Sequence, residues 1–345
     1  MIAIAALFGA TSCSTSASQR TWVSPVARDH VLVGQIFDVA RGRMVPRKTL
    51  IEAAISADFV LLGEQHDNAD HHRLQAGIIT DLVASGRRPA VAFEQLDLEN
   101  QAAVDRALAD SAGAPPAAQA SATAAAVAWD KSGWPRFDLY RPIFETALAA
   151  RLPILAANLS RAKLHAMFSD PHALDPADPA LVPLPDVARH SMAAEVEESH
   201  CGYAQPAMVS MMIEAQRRRD AEMAAALARG FEASAARVRG YEEPAAHASG
   251  TTSPVVRPGA VLVCGFAHAR KDSGVPLTLR QKQPDRRIVS VAFVEVMPDA
   301  TSPADYAAAF HAATLPFDFV LFTPRTDDTD PCEKYRSELE KMKRH

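Results

Sequence analysis

Apolar residues along this chain follow two different rhythms. Short runs with little polar interruption recur at 59–64 (FVLLGE), 90–94 (AVAFE), 153–157 (PILAA), 260–265 (AVLVCG) and 287–296 (RIVSVAFVEV), with a weaker one at 318–323 (DFVLFT). Such runs predict strands buried on both faces, because a half-solvated strand would alternate apolar and polar positions. Between the first two, ADHHRLQAGIITDLVASG (69–86) switches to helical spacing, with Leu74, Ile78 and Leu82 on one face and Gly86 as the C-cap. A strand, a helix and a strand joined by short loops form a right-handed parallel unit. The pattern therefore predicts an α/β fold, with a mainly parallel central sheet covered by helices and a large helical insertion.

The remaining segments fill in around that frame. HVLVGQIFDV (30–39) reads as a strand and VPRKTLIEAAISA (45–57) as a helix. From about 98 to 150 the spacing is helical, broken by SAGAPPAAQASATAAAVA (111–128), which fits a surface loop or a frayed helix. Residues 170–190 are rich in proline and read as an irregular connection; AMVSMMIEAQRRRDAEMAAALARG (207–230) is a strong helix, and 233–258 reads as a linker. The organisation expected is one α/β domain over 30–325, with its helical insertion at about 98–230, and a charged, solvated tail over 326–345.

In a parallel sheet, polar residues directly after apolar runs collect at the carboxyl ends of the strands, where open α/β sheets bind ligands. Here that rule gathers Glu64 and His66 from one strand, Glu94 from a second, Asn158 from a third and His268 from a fourth. Both histidines stand in a Gly-x-x-His stretch, beginning at Gly63 and Gly265, glycines that would let the backbone turn sharply and approach a ligand. Two imidazoles and a carboxylate, His66, His268 and Glu94, are a donor set for a divalent metal such as zinc, with Glu64 as a general base. The competing reading makes both histidines hydrogen-bonded structural groups at a sheet edge. On the helix from 207, Gln216 and Asp220 lie in an apolar stripe with Met212, Met223 and Leu227. They could hold the second ring nitrogen of a ligand histidine or cap a loop. Arg217–Arg219 read as a solvated face. Of His71 and His72, one is expected in the core and one in solvent.

At 345 residues and 48% hydrophobic composition the chain can bury a sizeable core, and a net charge of −5 gives no electrostatic reason to expect nucleic acid. The first twenty residues, MIAIAALFGATSCSTSASQR, resemble a bacterial lipoprotein signal and spacer, with Cys13 as the lipidated residue. No Lys or Arg precedes the apolar stretch, which suggests a start upstream of Met1, and Ala10 stands where Leu is usual. Ser14 after the cysteine favours the outer membrane, so the expected location is the cell envelope. Among the other cysteines no C-x-x-C spacing occurs, and Cys264 reads as a core residue. A Cys201–Cys332 bridge is open to an oxidising compartment, though nothing in the sequence selects it.

LLGEQHDNADHHRLQ, FEQ, WPRFDLYRPIFETA, ILAANLSR, HCG, AQRRRDAEMA and GFAHARKDSGVP occur in an order similar to that of ChaN-like haem-binding lipoproteins. These belong to the haem-binding uptake/Tiki superfamily, with the Tiki, TraB-type and erythromycin esterase proteins. The resemblance spans roughly 30–295. It implies haem binding in iron uptake, through a tyrosinate in a homodimer that stacks two haems. On this chain the implied ligand is Tyr140, in competition with Tyr203, Tyr241, Tyr306 and Tyr335, with His200 as a second ligand or hydrogen-bond partner. The superfamily's protease members imply instead a metal-dependent hydrolase on His66, Glu94 and His268.

Overall fold

A computed structural model of the chain describes residues 21–170, 181–245, 256–334 and 336. Cys13 with the rest of residues 1–20, Tyr335 and the tail 337–345 lie outside the described residues, as does the Tyr241 side chain. The centre is an eight-stranded sheet of β1 (Ile36–Asp38), β2 (Arg43–Val45), β3 (Phe59–Glu64), β4 (Ala90–Asp97), β5 (Ile154–Asn158), β6 (Ala260–Gly265), β7 (Ile288–Glu295) and β8 (Phe319–Thr323), in the order β2-β1-β8-β7-β3-β6-β4-β5. Strands β3 to β8 are parallel; β1 runs antiparallel to β8, and β2 antiparallel to β1.

The continuous apolar runs are explained by two cores, one on each face. Val60 and Leu62 of β3, Val91 and Phe93 of β4, and Val261 and Val263 of β6 face one core. It is closed by α1 (Arg47–Ser56), α2 (Ala69–Ala84), α3 (Gln101–Asp110), α4 (Pro116–Ala126) and α5 (Phe137–Ala149). The alternate residues Phe59, Leu61, Ala92, Leu262 and Cys264 face the other, against the long helix over residues 206–245. Burying a Leu or Phe side chain contributes roughly 1.5–3 kcal/mol, so each core strand is held from both sides.

Several segments differ from the sequence expectation. Of the strand expected at 30–39 only Ile36–Asp38 pairs, and Val31 is 64% exposed. The Ala-rich tract holds a true helix, α4, entered through Pro115 and Pro116, where proline costs a helix nothing. After α6 (Arg161–Ser169), α7 (Asp186–Ser199) begins inside the stretch read as irregular, whose residues 171–180 lie outside the described ones. The expected linker at 233–258 is helix as far as Ala245, in a 40-residue α8 (Pro206–Ala245). Phe231 and Val238 are buried there, and Ser234 Oγ donates to Arg88 O at 2.5 Å, so packing extends the helix past its apolar stripe. The sheet resumes at β6, followed by the short α9 (Phe266–Ala269) and α10 (Val275–Lys282). The tail is not free: in α11 (Pro331–Lys334), Cys332 is disulfide-bonded to Cys201.

Candidate functional site

Between β3 and α2 the chain must reverse within Gln65–Asn68. Asn68 makes this possible by capping α2, its Oδ1 accepting from the amides of Asp70 (2.9 Å) and His71 (3.3 Å). The turn places His66 Nδ1 3.0 Å from Oε1 of Glu64. The same Oε1 accepts from Tyr140 Oη (2.9 Å) and Gln95 Nε2 (3.0 Å), while His72 Nδ1 lies 2.9 Å from Oε2. Burial opposes ionisation of Glu64, but His72 and His66 outweigh it and bring its pKa down to about 2. Burial likewise opposes protonation of both histidines, and Glu64 outweighs it, raising their pKa values. His71 and His72 are both fully buried, so neither faces solvent as expected. His71 Nδ1 accepts from Gln65 N, its Nε2 lies 2.8 Å from Thr323 Oγ1, and burial lowers its pKa to about 3.

On the neighbouring strands, β6 ends at Gly265 and α9 carries His268. Its Nδ1 lies 2.6 Å from Asp220 Oδ1 on α8, and its Nε2 lies 3.2 Å from Glu94 Oε1 at the end of β4. The Gln216 amide stands 2.9 Å from the same Nδ1. Desolvation of the ring works against protonation, but Glu94 and Asp220 raise His268 to about 9, making it a cation at neutral pH. Glu94 Oε2 accepts from Gly265 N at 2.7 Å, and Oε1 also accepts from Arg219. Desolvation would raise the Glu94 pKa, yet His268 and Arg219 hold it well below the usual carboxylate range.

Neither motif glycine makes the sharp turn expected of it. A Cβ on Gly63 would meet Phe266 Cα and Ala269 Cβ at 2.8 Å, so Gly63 is what lets α9 sit on the end of β3. A Cβ on Gly265 would lie 3.0 Å from His66 Cε1 and 3.6 Å from Glu94 Oε2. His66 and Glu94 thus meet over Gly265, and the strand ends do converge.

The convergence brings the expected donors near one another, already bonded among themselves. Among the described residues no group of three or more His, Cys, Asp or Glu is arranged to hold a metal ion. The donors are already committed: His66 Nδ1 to Glu64, and Glu94 to His268, Gly265 and the Arg219 guanidinium. Arg219, read from sequence as solvated, supplies the positive charge there. Asn158 joins this side of the rim, its Oδ1 accepting from Arg219 Nε at 3.0 Å. Gln216 and Asp220 do hold a ring nitrogen, that of His268. Tyr140 is fully buried against His72 and Trp129, and its hydroxyl is committed to Glu64. Burial and the Glu64 charge push its pKa well above 10, so this environment disfavours the phenolate a haem ligand would need. Tyr306 is also buried, its hydroxyl accepting from Met297 N.

Two cavities flank the rim and share Leu164 and Arg219 in their walls. The first, about 370 Å³, lies over the ends of β4 and β5 and is lined by Gln95, Asn158 and Trp134, whose ring stands edge-on to His66 at 4.9 Å. The second, about 360 Å³, lies between α6, α7 and α8, with Leu164, Phe168, Met192, Val196 and Met212 in its apolar walls and His200 beside them. Both volumes fall in the range of small-molecule sites, roughly 300–1,000 Å³. Gln95 was not singled out by sequence, and Arg219 was read as solvated although it shares a helix face with Gln216 and Met223.

Comparison with known proteins bears on what this arrangement serves. The structure of ChaN of Campylobacter jejuni with cofacially bound haem shares the fold, with a TM-score of 0.58 and 20% sequence identity over 83% of this chain and 95% of that one. The type III effector HopBA1 (TM-score 0.45, 15% identity, 80% and 92% covered) and an open erythromycin esterase EreC (0.32, 14%, 89% and 86%) are more distant. Among curated proteins none matches the sequence. The family model described as haem-binding uptake, Tiki superfamily, ChaN matches residues 50–279, a span that holds every rim residue from Glu64 to His268. The chain belongs to the ChaN family of the haem-binding uptake, Tiki superfamily.

Proposed function

We propose that the protein binds haem in the apolar cavity between α6, α7 and α8, with His200 as the iron ligand, in haem and iron uptake at a bacterial cell envelope. The observation that carries this reading is the chemistry of that cavity. His200 Nδ1 lies 2.7 Å from Val196 O, to which its N–H donates, and Nε2 has no partner among the described residues. That bond fixes the tautomer and leaves the Nε2 lone pair for a metal, a common arrangement of ligand histidines. Phe168, 40% exposed on α6, extends the apolar surface to the cavity mouth. Haem pairing of the cofacial kind bound by Campylobacter ChaN would join two copies at that mouth. The Cys201–Cys332 bridge supports an oxidising compartment, in keeping with lipidation at Cys13 and an outer-membrane location.

The test is a haemin titration followed by absorption, with sedimentation to read the dimer. The parent protein is expected to give a saturable Soret shift that His200→Ala loses and Tyr140→Phe keeps. Loss in Tyr140→Phe with retention in His200→Ala would transfer the ligand role to Tyr140; no saturable shift in the parent would end the haem reading.

A second reading, as a hydrolase, is favoured by one observation: two His–carboxylate pairs, His66–Glu64 and His268–Asp220, face a common rim. In this metal-free reading His66 takes a proton from water as the water oxygen bonds to the ester carbonyl carbon, and cationic His268 gives a proton to the leaving alkoxide as its C–O bond breaks. Turnover of a chromogenic ester, insensitive to chelators and lost in His66→Gln, would put this reading first.

A further inference from the structure

The cavity over the ends of β4 and β5 has a different chemistry from the apolar one. Lys131 and Arg161 stand in its wall, and neither makes an ion pair or side-chain hydrogen bond among the described residues. Gly133, at a φ of +83°, has no side chain to exclude the Arg161 guanidinium, which lies 2.5 Å from where its Cβ would be. Arg219 is a third cation in the lining, tied to Glu94 and Asn158. Asn158 is 4% exposed, yet its Nδ2 has no hydrogen-bond partner among the described residues. That donor is not among the fully enclosed unpaired atoms of the described residues, so it keeps some exposure and stands open to a ligand or water. The N-terminus of α6, whose residues Arg161 and Leu164 line the cavity, adds its positive end to the same space. Against these donors the lining offers one carboxylate, Asp97, whose pKa is raised by burial and by Glu99 although Arg161 and Arg219 act on it in the opposite direction.

We propose that this cavity is a carboxylate-binding site, in which Asn158 Nδ2, Arg161 and Lys131 hold the anionic group. Two sources of that chemistry are open. The shared wall at Leu164 and Arg219 would let the propionates of a haem in the apolar cavity reach across, an assignment that rests on the haem reading. A free small carboxylate would instead lie beside Trp134 and His66, independently of haem.

The experiment compares the parent with Lys131→Gln/Arg161→Gln, both positions being exposed and outside the core. Haemin and haem dimethyl ester, whose propionates are esterified, are titrated against each, and succinate is titrated by tryptophan fluorescence. For propionates, the double variant should weaken haemin on the order of tenfold and leave the dimethyl ester unchanged, since charge-assisted bonds are lost only for the acid. For a free carboxylate, succinate should quench the parent saturably and not the variant, whether or not haemin binds. If haemin binds parent and variant equally and succinate quenches neither, the site is overturned while the haem reading stands. If the parent binds no haemin but succinate binding depends on the two cations, the site stands and the haem reading falls. Asn158→Leu, which keeps the branched shape and removes the amide, should reproduce the double variant's loss; its retention of binding would remove Asn158 from the site.

Discussion

The imidazole of His268 and the carboxylate of Glu64 give the rim opposite responses to pH. His268 titrates at about 9 in the folded chain against 6.5 as a free side chain. Its stabilisation is therefore full below pH 6.5 and lost as pH rises through 9. Glu64 titrates at about 2 against 4.5, so its contribution is present above pH 4.5 and lost as pH falls toward 2. Denaturant unfolding across pH should show a maximum near pH 6.5, declining above it as His268 loses its proton. Below it stability falls first because His71, held neutral at about 3 against 6.5, is protonated only in the unfolded chain, and then as Glu64 protonates. His268 should supply about 3 kcal/mol of the alkaline limb at most, shared with Glu94 and Asp220, and His66 and His72, whose pKa values are also raised, add to that limb. His268→Asn should be less stable at neutral pH and show a smaller limb, with the part due to His66 and His72 remaining; an unchanged limb would place the titrating group elsewhere. Glu64, Glu94, Asn158 and His268 were legible in sequence because each is the first polar group after a buried run, and His66 follows Glu64 by two residues. The fate of Tyr140 was not, since nothing in FDLYRPIF shows that its hydroxyl meets Glu64. Three successive arginines fan around a helix of 3.6 residues per turn, so Arg217 could reach Glu214 while Arg219 reached Glu94.

Among the elements, the contact between β3 and α9 decides where His268 stands. Gly63→Ala would put a methyl group 2.8 Å from the Phe266 backbone, which cannot swing aside as a side chain could. The expected cost is about 1–3 kcal/mol, read as a lower denaturation midpoint, with a displaced imidazole signal of His268 in NMR. A silent Gly63→Ala would mean that α9 is free to shift. Gly265→Ala meets the movable His66 ring instead, and should disturb the rim more than the stability. The six core strands could be read from their apolar runs because both faces are covered. The extent of α8 could not: beyond Gly230 the sequence turns to Ala, Ser and Arg, and the buried side chains there among the described residues are Phe231, Ser234 and Val238, with Ala235 partly buried against the core. The short β1 and β2 owe their pairing to the exposed edge of β8, which a local pattern does not encode.

Across the whole molecule, the Cys201–Cys332 bridge joins residues 131 apart, and its Cα separation of 5.8 Å is ordinary for a disulfide. Replacing both cysteines with Ser should lower stability by about 2–5 kcal/mol, checked by denaturation with and without reductant. The reductant should act on the parent and not on the variant. Cys201 directly follows His200 and holds a left-handed backbone at φ +54°, so the turn that carries the proposed iron ligand is the turn the bridge secures. A ribosome must release the chain through residue 332, 131 residues after Cys201, before that bond can close. A polypeptide kept in a reducing cytoplasm would carry its apolar cavity with that turn unfastened. Crossing into an oxidising compartment would then be a step in finishing the binding site, as well as in delivering the protein.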